Sequence, residues 1–264
     1  MSNLLQSIIE RKKQRLEEQR KNFPLPNLEQ MLAAAPPVRD FYASLLKKDT
    51  RSIPVIAEFK RKSPSRGEIR SDLNPAELAQ KYEAAGARAV SILCEQDFFA
   101  GSLDDLRAAK KNCALPLLCK DFIISSFQVM LSRIYGADLV LLIASALAPK
   151  KLDELFILTK ELQMTPLIEV HDRAELEQAL ALGARLIGIN NRNLATLEVN
   201  LDTTKTLLPL IPHDRLVISE SGFTKREQLE IFHAAGVSGF LIGGSILASP
   251  EPQAKLRELV YGQG

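Results

Sequence analysis

Cysteine is scarce. The three present, Cys94, Cys113 and Cys119, have neither zinc-ligand spacing nor a C-x-x-C pair. Their odd number argues against the disulfide framework of a secreted domain, and leaves reduced cytosolic thiols as the expectation. No apolar run reaches the roughly 18 residues that a membrane span requires. The first 22 residues alternate apolar and charged side chains and hold no apolar core of the secretory-signal type. Excess charge is missing as well. With 34 Lys and Arg against 32 Asp and Glu, the net charge is +2, and this does not indicate a nucleic-acid binder, whose basic residues concentrate in a patch. An early G-x-G-x-x-G is absent, which counts against a dinucleotide-binding open sheet. No His/Cys/Asp ligand cluster stands out, so no metal is expected. A soluble cytoplasmic monomer with no membrane or nucleic-acid partner is the resulting expectation.

What is present is an ordinary globular composition, 46% hydrophobic and 25% charged, in a chain of 264 residues. That length suits two small domains or one α/β barrel. Residues 3–21 show an amphipathic pattern, with Leu4, Leu5, Ile8, Ile9 and Leu16 on one side and Arg11, Lys12, Lys13 and Arg15 largely on the other. The interleaved Glu10, Glu17 and Glu18 make this a solvated helix face rather than a nucleic-acid patch. Pro24, Pro26, Pro36 and Pro37 then break the chain around a short helix near 28–34. Residues 1–50 read as a helical extension packed on a main domain of residues 51–264, with its apolar face over the mouth of that domain.

From residue 53 a repeat emerges. Four apolar runs enter through a turn residue, beginning at Ile53, Leu115, Thr165 and Asp214, and end in charged tips. Four others enter through Gly86, Gly136, Gly183 and Gly236, which fall where a preceding helix needs a left-handed C-terminal residue. Those glycines recur at intervals of 50, 47 and 53 residues, so a double β-α unit is repeated four times. Helical patterns fill the gaps, starting at Asn74-Pro75 and running roughly over 102–112, 125–135, 149–162, 172–182, 201–208, 224–234 and 252–260. Eight short strands alternating with eight helices predict an α/β fold, a (β/α)8 TIM barrel with an N-terminal helical extension. An open doubly wound sheet is the alternative.

In such barrels function gathers at the C-terminal ends of the strands. Read in order, those ends carry Glu58 and Lys60, Cys94 and Glu95, Lys120, Ile143 and Ala144, Glu169, Asn190 and Arg192, Glu220 to Gly222, and Gly243 to Ser245. Side chains alternate along a strand, so Glu58 and Lys60 share a face. Opposite charges converging in a concave site perturb one another's pKa values, as acid–base chemistry requires. The Ser-Pro-Ser-x-Gly after Lys62 reads as a long loop suited to closing over an anion. Ser221-Gly222 and Gly243-Gly244-Ser245 are small, open and helix-initiating, the pattern of a backbone phosphate site, so a small phosphorylated molecule is the expected substrate. A Schiff-base aldolase with Lys120 as nucleophile, or a noncatalytic phosphate binder, would use the same residues.

The block Glu58-Phe59-Lys60-Arg61-Lys62-Ser63-Pro64-Ser65-Arg66-Gly67 resembles the indole-3-glycerol-phosphate synthase family. So do Lys120-Asp121-Phe122-Ile123, Leu167-Ile168-Glu169-Val170, Gly188 through Leu194, Ser219-Glu220-Ser221-Gly222 and Leu241-Ile242-Gly243, with the likeness running over about residues 3–260. The resemblance implies a cofactor-free lyase of tryptophan biosynthesis. Its substrate, 1-(2-carboxyphenylamino)-1-deoxyribulose 5-phosphate, would be cyclised, decarboxylated and dehydrated.

By matching position the resemblance makes Lys120 the general acid at the ketone oxygen and Glu169 a stabiliser of developing positive charge or a proton relay. Glu58 and Lys60 would serve the dehydration and Asn190 the hydroxyl network. Arg192, Glu220 and Ser221 would orient the site. Phe99 and Phe122 would take the anthranilate ring, and Ser63, Gly222, Gly243 and Gly244 would contact substrate. A lysine beside other cations in a dry pocket is expected to have a lowered pKa. His171, His213 and His233 read as surface or turn residues. Cys94 stands where the family pattern suggests threonine, and Gly244 where glutamate or serine is common.

Overall fold

The computed structural model describes residues 4–65, 67–70 and 72–262. Among them, eight parallel strands close into a barrel. They are β1 (Val55–Phe59), β2 (Ala89–Leu93), β3 (Leu117–Lys120), β4 (Leu139–Ile143), β5 (Thr165–Val170), β6 (Leu186–Asn190), β7 (Leu216–Glu220) and β8 (Gly239–Ile242). Each pairs with its sequence neighbour, and β1 closes on β8 with Val55 opposite Phe240 and Ala57 opposite Ile242. The fold is therefore the TIM barrel that the repeat implies, and the open sheet is excluded. Gly86, Gly136, Gly183 and Gly236 all have positive φ, which places a left-handed residue after the helices that precede β2, β4, β6 and β8.

The alternation of side chains divides the core in two. Outward residues such as Val55, Ala57, Val90, Ile92 and Leu142 pack against the surrounding helices. Inward residues fill the barrel itself, among them Ile56, Ala89, Leu118, Leu139, Leu141, Leu167, Leu186, Ile218 and Leu241. In β1, β3, β5 and β7 the inward position two residues further on is Glu58, Lys120, Glu169 and Glu220. The barrel is thus apolar along its lower part and charged at its upper end.

The extension begins with α1 (Leu4–Asn22), α2 (Leu25–Ala33) and α3 (Phe41–Leu45). Its first and third helices reach opposite ends of the barrel. Leu4, Leu5 and Ile8 of α1 stand at the upper mouth, while Phe41 and Leu45 of α3 are buried against the interior apolar layer. Ser44 Oγ donates to the carbonyl of Arg88, and the backbone N–H of Arg39 donates to Asp138 at 2.7 Å, both just before strands begin. So α3 plugs the lower end, a role that periodicity did not reveal. The stretch after Lys60, expected as a long loop, contains a short antiparallel hairpin with Lys62 opposite Glu68 and Ser63 opposite Gly67. Arg61 anchors its base, donating to both oxygens of Asp105 and stacking on Phe59.

Candidate active site

A cavity of about 410 Å³ opens at the C-terminal end of the barrel. Of the residues expected in the site, Glu58, Lys60, Ser63, Phe99, Lys120, Phe122, Glu169, Asn190, Arg192, Ser221, Gly222, Gly243 and Gly244 line it. Glu220 does not. Its carboxylate lies behind Lys120, only 1% exposed, in a space that exists because residue 188 is glycine. A Cβ on Gly188 would stand 2.5 Å from Glu220 Oε1.

Lys120 is the centre of the charges. Its Nζ donates to Glu220 Oε2 at 2.6 Å and lies 3.9 Å from a carboxylate oxygen of both Glu58 and Glu169. Glu58 in turn accepts from Lys60. The expected lowering of the Lys120 pKa is wrong. Burial does push it down, but the charges of Glu220, Glu169 and Glu58 overturn that and hold it well above the ordinary lysine value. The sequence placed these residues at the strand ends, yet it did not show that Lys120 meets carboxylates rather than cations.

The three carboxylates differ. Glu58 is buried, which raises its pKa, but Lys60 and then Lys120 bring it below the usual range. Burial also acts to raise Glu169, and the His171 ring and Lys120 pull it down to about 2. Glu220 is pushed up to about 7, because burial and the neighbouring Glu169 outweigh the attraction of Lys120. One proton therefore titrates near neutrality beside the buried ammonium, on the carboxylate farthest from the cavity.

His171, expected at the surface or in a turn, does lie in the turn after β5, and it is also a neighbour of the site. Its ring is half-buried, with Nε2 3.4 Å from Glu169 Oε1. The V-H-D run after Glu169 carried no signal for this, because the chain turns there into the next helix. Asn191 was also missed. Its side-chain amide donates to Ser219 Oγ and to the carbonyls of Glu220 and Ser221, and its Oδ1 accepts from Thr204 Oγ1. It ties β6 to the end of β7. Neighbouring Asn190 accepts from Ser221 Oγ at 3.0 Å.

The turn at Ser221-Gly222 is left-handed at both residues, with φ of 65° and 95°. For a serine this costs about 1 to 2 kcal/mol. Gly243 has φ of −130°, so backbone conformation does not require a glycine there. Space does, since a Cβ would strike the Glu58 carboxylate. Gly243 is thus a seat for Glu58 as well as part of the cavity wall.

Two loops supply an apolar half. Glu95, expected among the inward strand-end residues, is turned instead into the loop after β2. It accepts from the N–H groups of Asp97, Phe98 and Phe99 at 2.7–3.1 Å, which fixes Phe99 beside Phe122 with ring centroids 6.1 Å apart. Lys12 of α1 pairs with Asp121 at 2.7 Å, and Arg15 pairs with Asp97 at 2.5 Å, so the extension clamps both aromatic loops. Cys94 lies outside this cavity, its thiol donating to the Ile92 carbonyl. Across the mouth, the turn after Arg192 closes with a bridge from Arg192 to Val199 and presents Leu194, Leu197 and Val199.

A charged acid–base cluster facing an aromatic and aliphatic wall, with a small-residue corner between, is what the sequence resemblance requires. Comparison with known proteins decides the matter. The family model for indole-3-glycerol phosphate synthase matches residues 5–259.

The chain belongs to the indole-3-glycerol phosphate synthase family.

Among curated relatives, the indole-3-glycerol phosphate synthase of Polaromonas naphthalenivorans (strain CJ2) is 44% identical over 260 residues, covering 98% of this chain and 99% of that protein. Solved structures share the fold at low identity. KGPDC from Streptococcus mutans superimposes with a TM-score of 0.57 at 11% identity, over 78% of this chain and 95% of that one. Thiamine phosphate pyrophosphorylase from Pyrococcus furiosus gives 0.58 at 12%, over 78% and 93%. These two are similar in architecture only; the synthase family is fixed by sequence.

Proposed function

We propose that Lys120 is the proton donor for ring closure in the indole-3-glycerol phosphate synthase reaction, working from the carboxylate cluster described above. The family assigns the overall chemistry. A carboxy-lyase of tryptophan biosynthesis converts 1-(2-carboxyphenylamino)-1-deoxyribulose 5-phosphate to indole-3-glycerol phosphate with loss of carbon dioxide and water.

The observation that carries the mechanism is the Lys120 ammonium held among Glu58, Glu169 and Glu220 at the cavity floor. When the ring carbon bonds to the ketone carbon, the carbonyl electrons move onto oxygen. Lys120, fully charged at neutral pH, gives its proton to that alkoxide as it forms. Positive charge meanwhile develops on the ring and nitrogen, and ionised Glu169 offsets it. The carboxylate on the attacking ring carbon leaves as carbon dioxide, its bonding electrons returning to the ring, which regains its aromaticity. The new hydroxyl then departs as water. Glu58 and Lys60, already joined by a hydrogen bond, supply the acid and base for that step. Phe99 and Phe122 hold the ring, and Ser221, Gly222, Gly243 and Gly244 receive the phosphate across the barrel.

The same charges disfavour the aldolase alternative. A lysine nucleophile must first lose its proton, and three surrounding carboxylates keep Lys120 protonated. Action as a monomer is part of this reading. Among the described residues no helix is long and apolar enough to cross a membrane. Cytoplasmic location remains part of this reading. Incubating the purified protein with the carboxyphenylamino-ribulose phosphate and following indole fluorescence tests it. Fluorescence that grows with enzyme concentration is expected. Its absence, or an imine trapped on Lys120 by borohydride with a sugar phosphate, would overturn it.

A further inference from the structure

His171 belongs to none of the roles above, yet it links the site to the outer ring of helices. It follows β5 immediately, at the turn into α4 (Arg173–Ala181). Asp172 caps that helix by accepting from the N–H of Glu175. The Glu175 carboxylate reaches back to His171 twice, accepting from its backbone N–H at 2.8 Å and meeting ring Nδ1 at 3.0 Å. The ring cannot rotate without breaking the second contact. Its other nitrogen, Nε2, is buried without a well-formed hydrogen bond and stands 3.4 Å from Glu169 Oε1. Glu175, His171, Glu169 and Lys120 thus form a line of alternating charge, from the first turn of α4 to the reacting centre.

We propose that His171 is a positioning residue for the reaction, a fixed imidazolium clamped by Glu175 that keeps Glu169 ionised and aimed at Lys120.

The surroundings are consistent with a fixed charge. The charges acting on the ring are those of Glu169 from β5 and Glu175 from α4, both negative. The short turn Ala144–Ala146 packed on α4 brings none. Burial alone would favour neutral imidazole, and the two carboxylates reverse that, raising the pKa to about 10. Glu169 is faced by Lys120 from β3, Asn190 from β6, and the like charges of Glu58 and Glu220 from β1 and β7. Three carboxylates around one lysine compete for protons. A second cation behind Glu169 decides that the proton held near neutrality resides on Glu220, outside the cavity, and not on the carboxylate that faces substrate. His171 acts through Glu169 and touches no reacting atom.

This inference rests on the proposed role of Glu169, so its test has one arm that needs no turnover. The chain has three histidines, and ¹⁵N-labelled imidazole resonances separate charged from neutral rings. The His171 ring is expected to remain an imidazolium at pH 8. A neutral ring at that pH overturns the proposal whatever the enzyme does.

The second arm is the pH dependence of kcat. Asn at 171 keeps a donor near Glu175 and loses the one near Glu169; Gln keeps a donor near Glu169 and carries no charge. In His171→Asn the acidic limb of kcat should move up by about one pH unit, a fall of about tenfold on that limb, with KM changed less than about twofold. His171→Gln should move the same limb by less. Glu175→Gln, which leaves the ring in place, should also shift it upward and serves if the histidine variants fold poorly. A purely structural role would lower the melting temperature and leave the limb where it was, and that result sinks the proposal. Failure of the wild-type protein to form indole would remove the mechanism, but not the resonance measurement.

Discussion

Glu220→Gln should make the protein more stable while making it a poor enzyme. Glu220 is 1% exposed, and its pKa stands at about 7, against the ordinary 4.5. Because the folded value lies above the unfolded one, the folded chain binds the proton more tightly. The associated stability is fully present below the unfolded value and is lost as pH rises through the folded value. Between pH 5 and pH 8 the loss is on the order of 2 to 3 kcal/mol, since each pH unit of displaced titration is worth roughly 1.4 kcal/mol. Glutamine is neutral throughout and escapes that loss. The informative quantity is the difference between variant and wild type at the two pH values, since whatever the amide costs by packing over Gly188 cancels between them. Urea unfolding at pH 5 and pH 8 measures it, and the variant should gain on the order of 2 to 3 kcal/mol in relative stability at the higher pH. The kcat should fall about a hundredfold, because Lys120 loses the charged partner that holds it at 2.6 Å. A relative stability that is the same at both pH values, within about 0.5 kcal/mol, would show that Glu220 is not the group carrying the neutral-range proton.

Three further outcomes are expected. Lys120→Met should lower kcat by roughly two to four powers of ten with little change in KM. It should also destabilise the fold at pH 8 more than at pH 5, because three buried carboxylates lose their shared cation; retention of near-normal kcat would end the mechanism. Gly243→Val should lower kcat as well as raise KM, since its side chain collides with the Glu58 carboxylate; a pure KM effect in steady-state kinetics would assign Gly243 to phosphate alone. Deletion of residues 1–22 should remove Leu4, Leu5 and Ile8 from the cavity and release the clamps to Asp121 and Asp97, reducing activity with a modest loss of melting temperature. Deletion of residues 1–45 should cost far more, because it also removes the buried Phe41 and Leu45 and uncovers the apolar layer they pack on, at about 2 kcal/mol for each side chain. Equal melting temperatures for the two truncations would contradict the plug assigned to α3.

The sequence by itself determined the barrel, and the reason is local. Strand length, the glycines before alternate strands and the proline-capped helix starts are properties of neighbouring residues, and a fourfold repeat of them has few ways to close. It also placed Glu58, Lys120, Glu169 and Glu220 at the strand ends, because side-chain alternation needs only a strand and its direction. Distance across the barrel is a different matter. Lys120 and Glu220 are 100 residues apart, and their 2.6 Å contact, with Glu169 and Glu58 close by, sets the lysine pKa in the direction opposite to the one expected for a lysine beside other cations. Gly188 matters because Glu220 of the neighbouring strand fills the space above it, and Gly243 because Glu58 does the same. His171 is invisible as a site residue until the turn into α4 folds it back against Glu169. The plug at Phe41 and Leu45 likewise depends on where the chain runs after leaving the mouth. Residue type and order fix which groups arrive at the rim, whereas charge state and vacant volume depend on every neighbour at once. Only closure of the barrel supplies those neighbours.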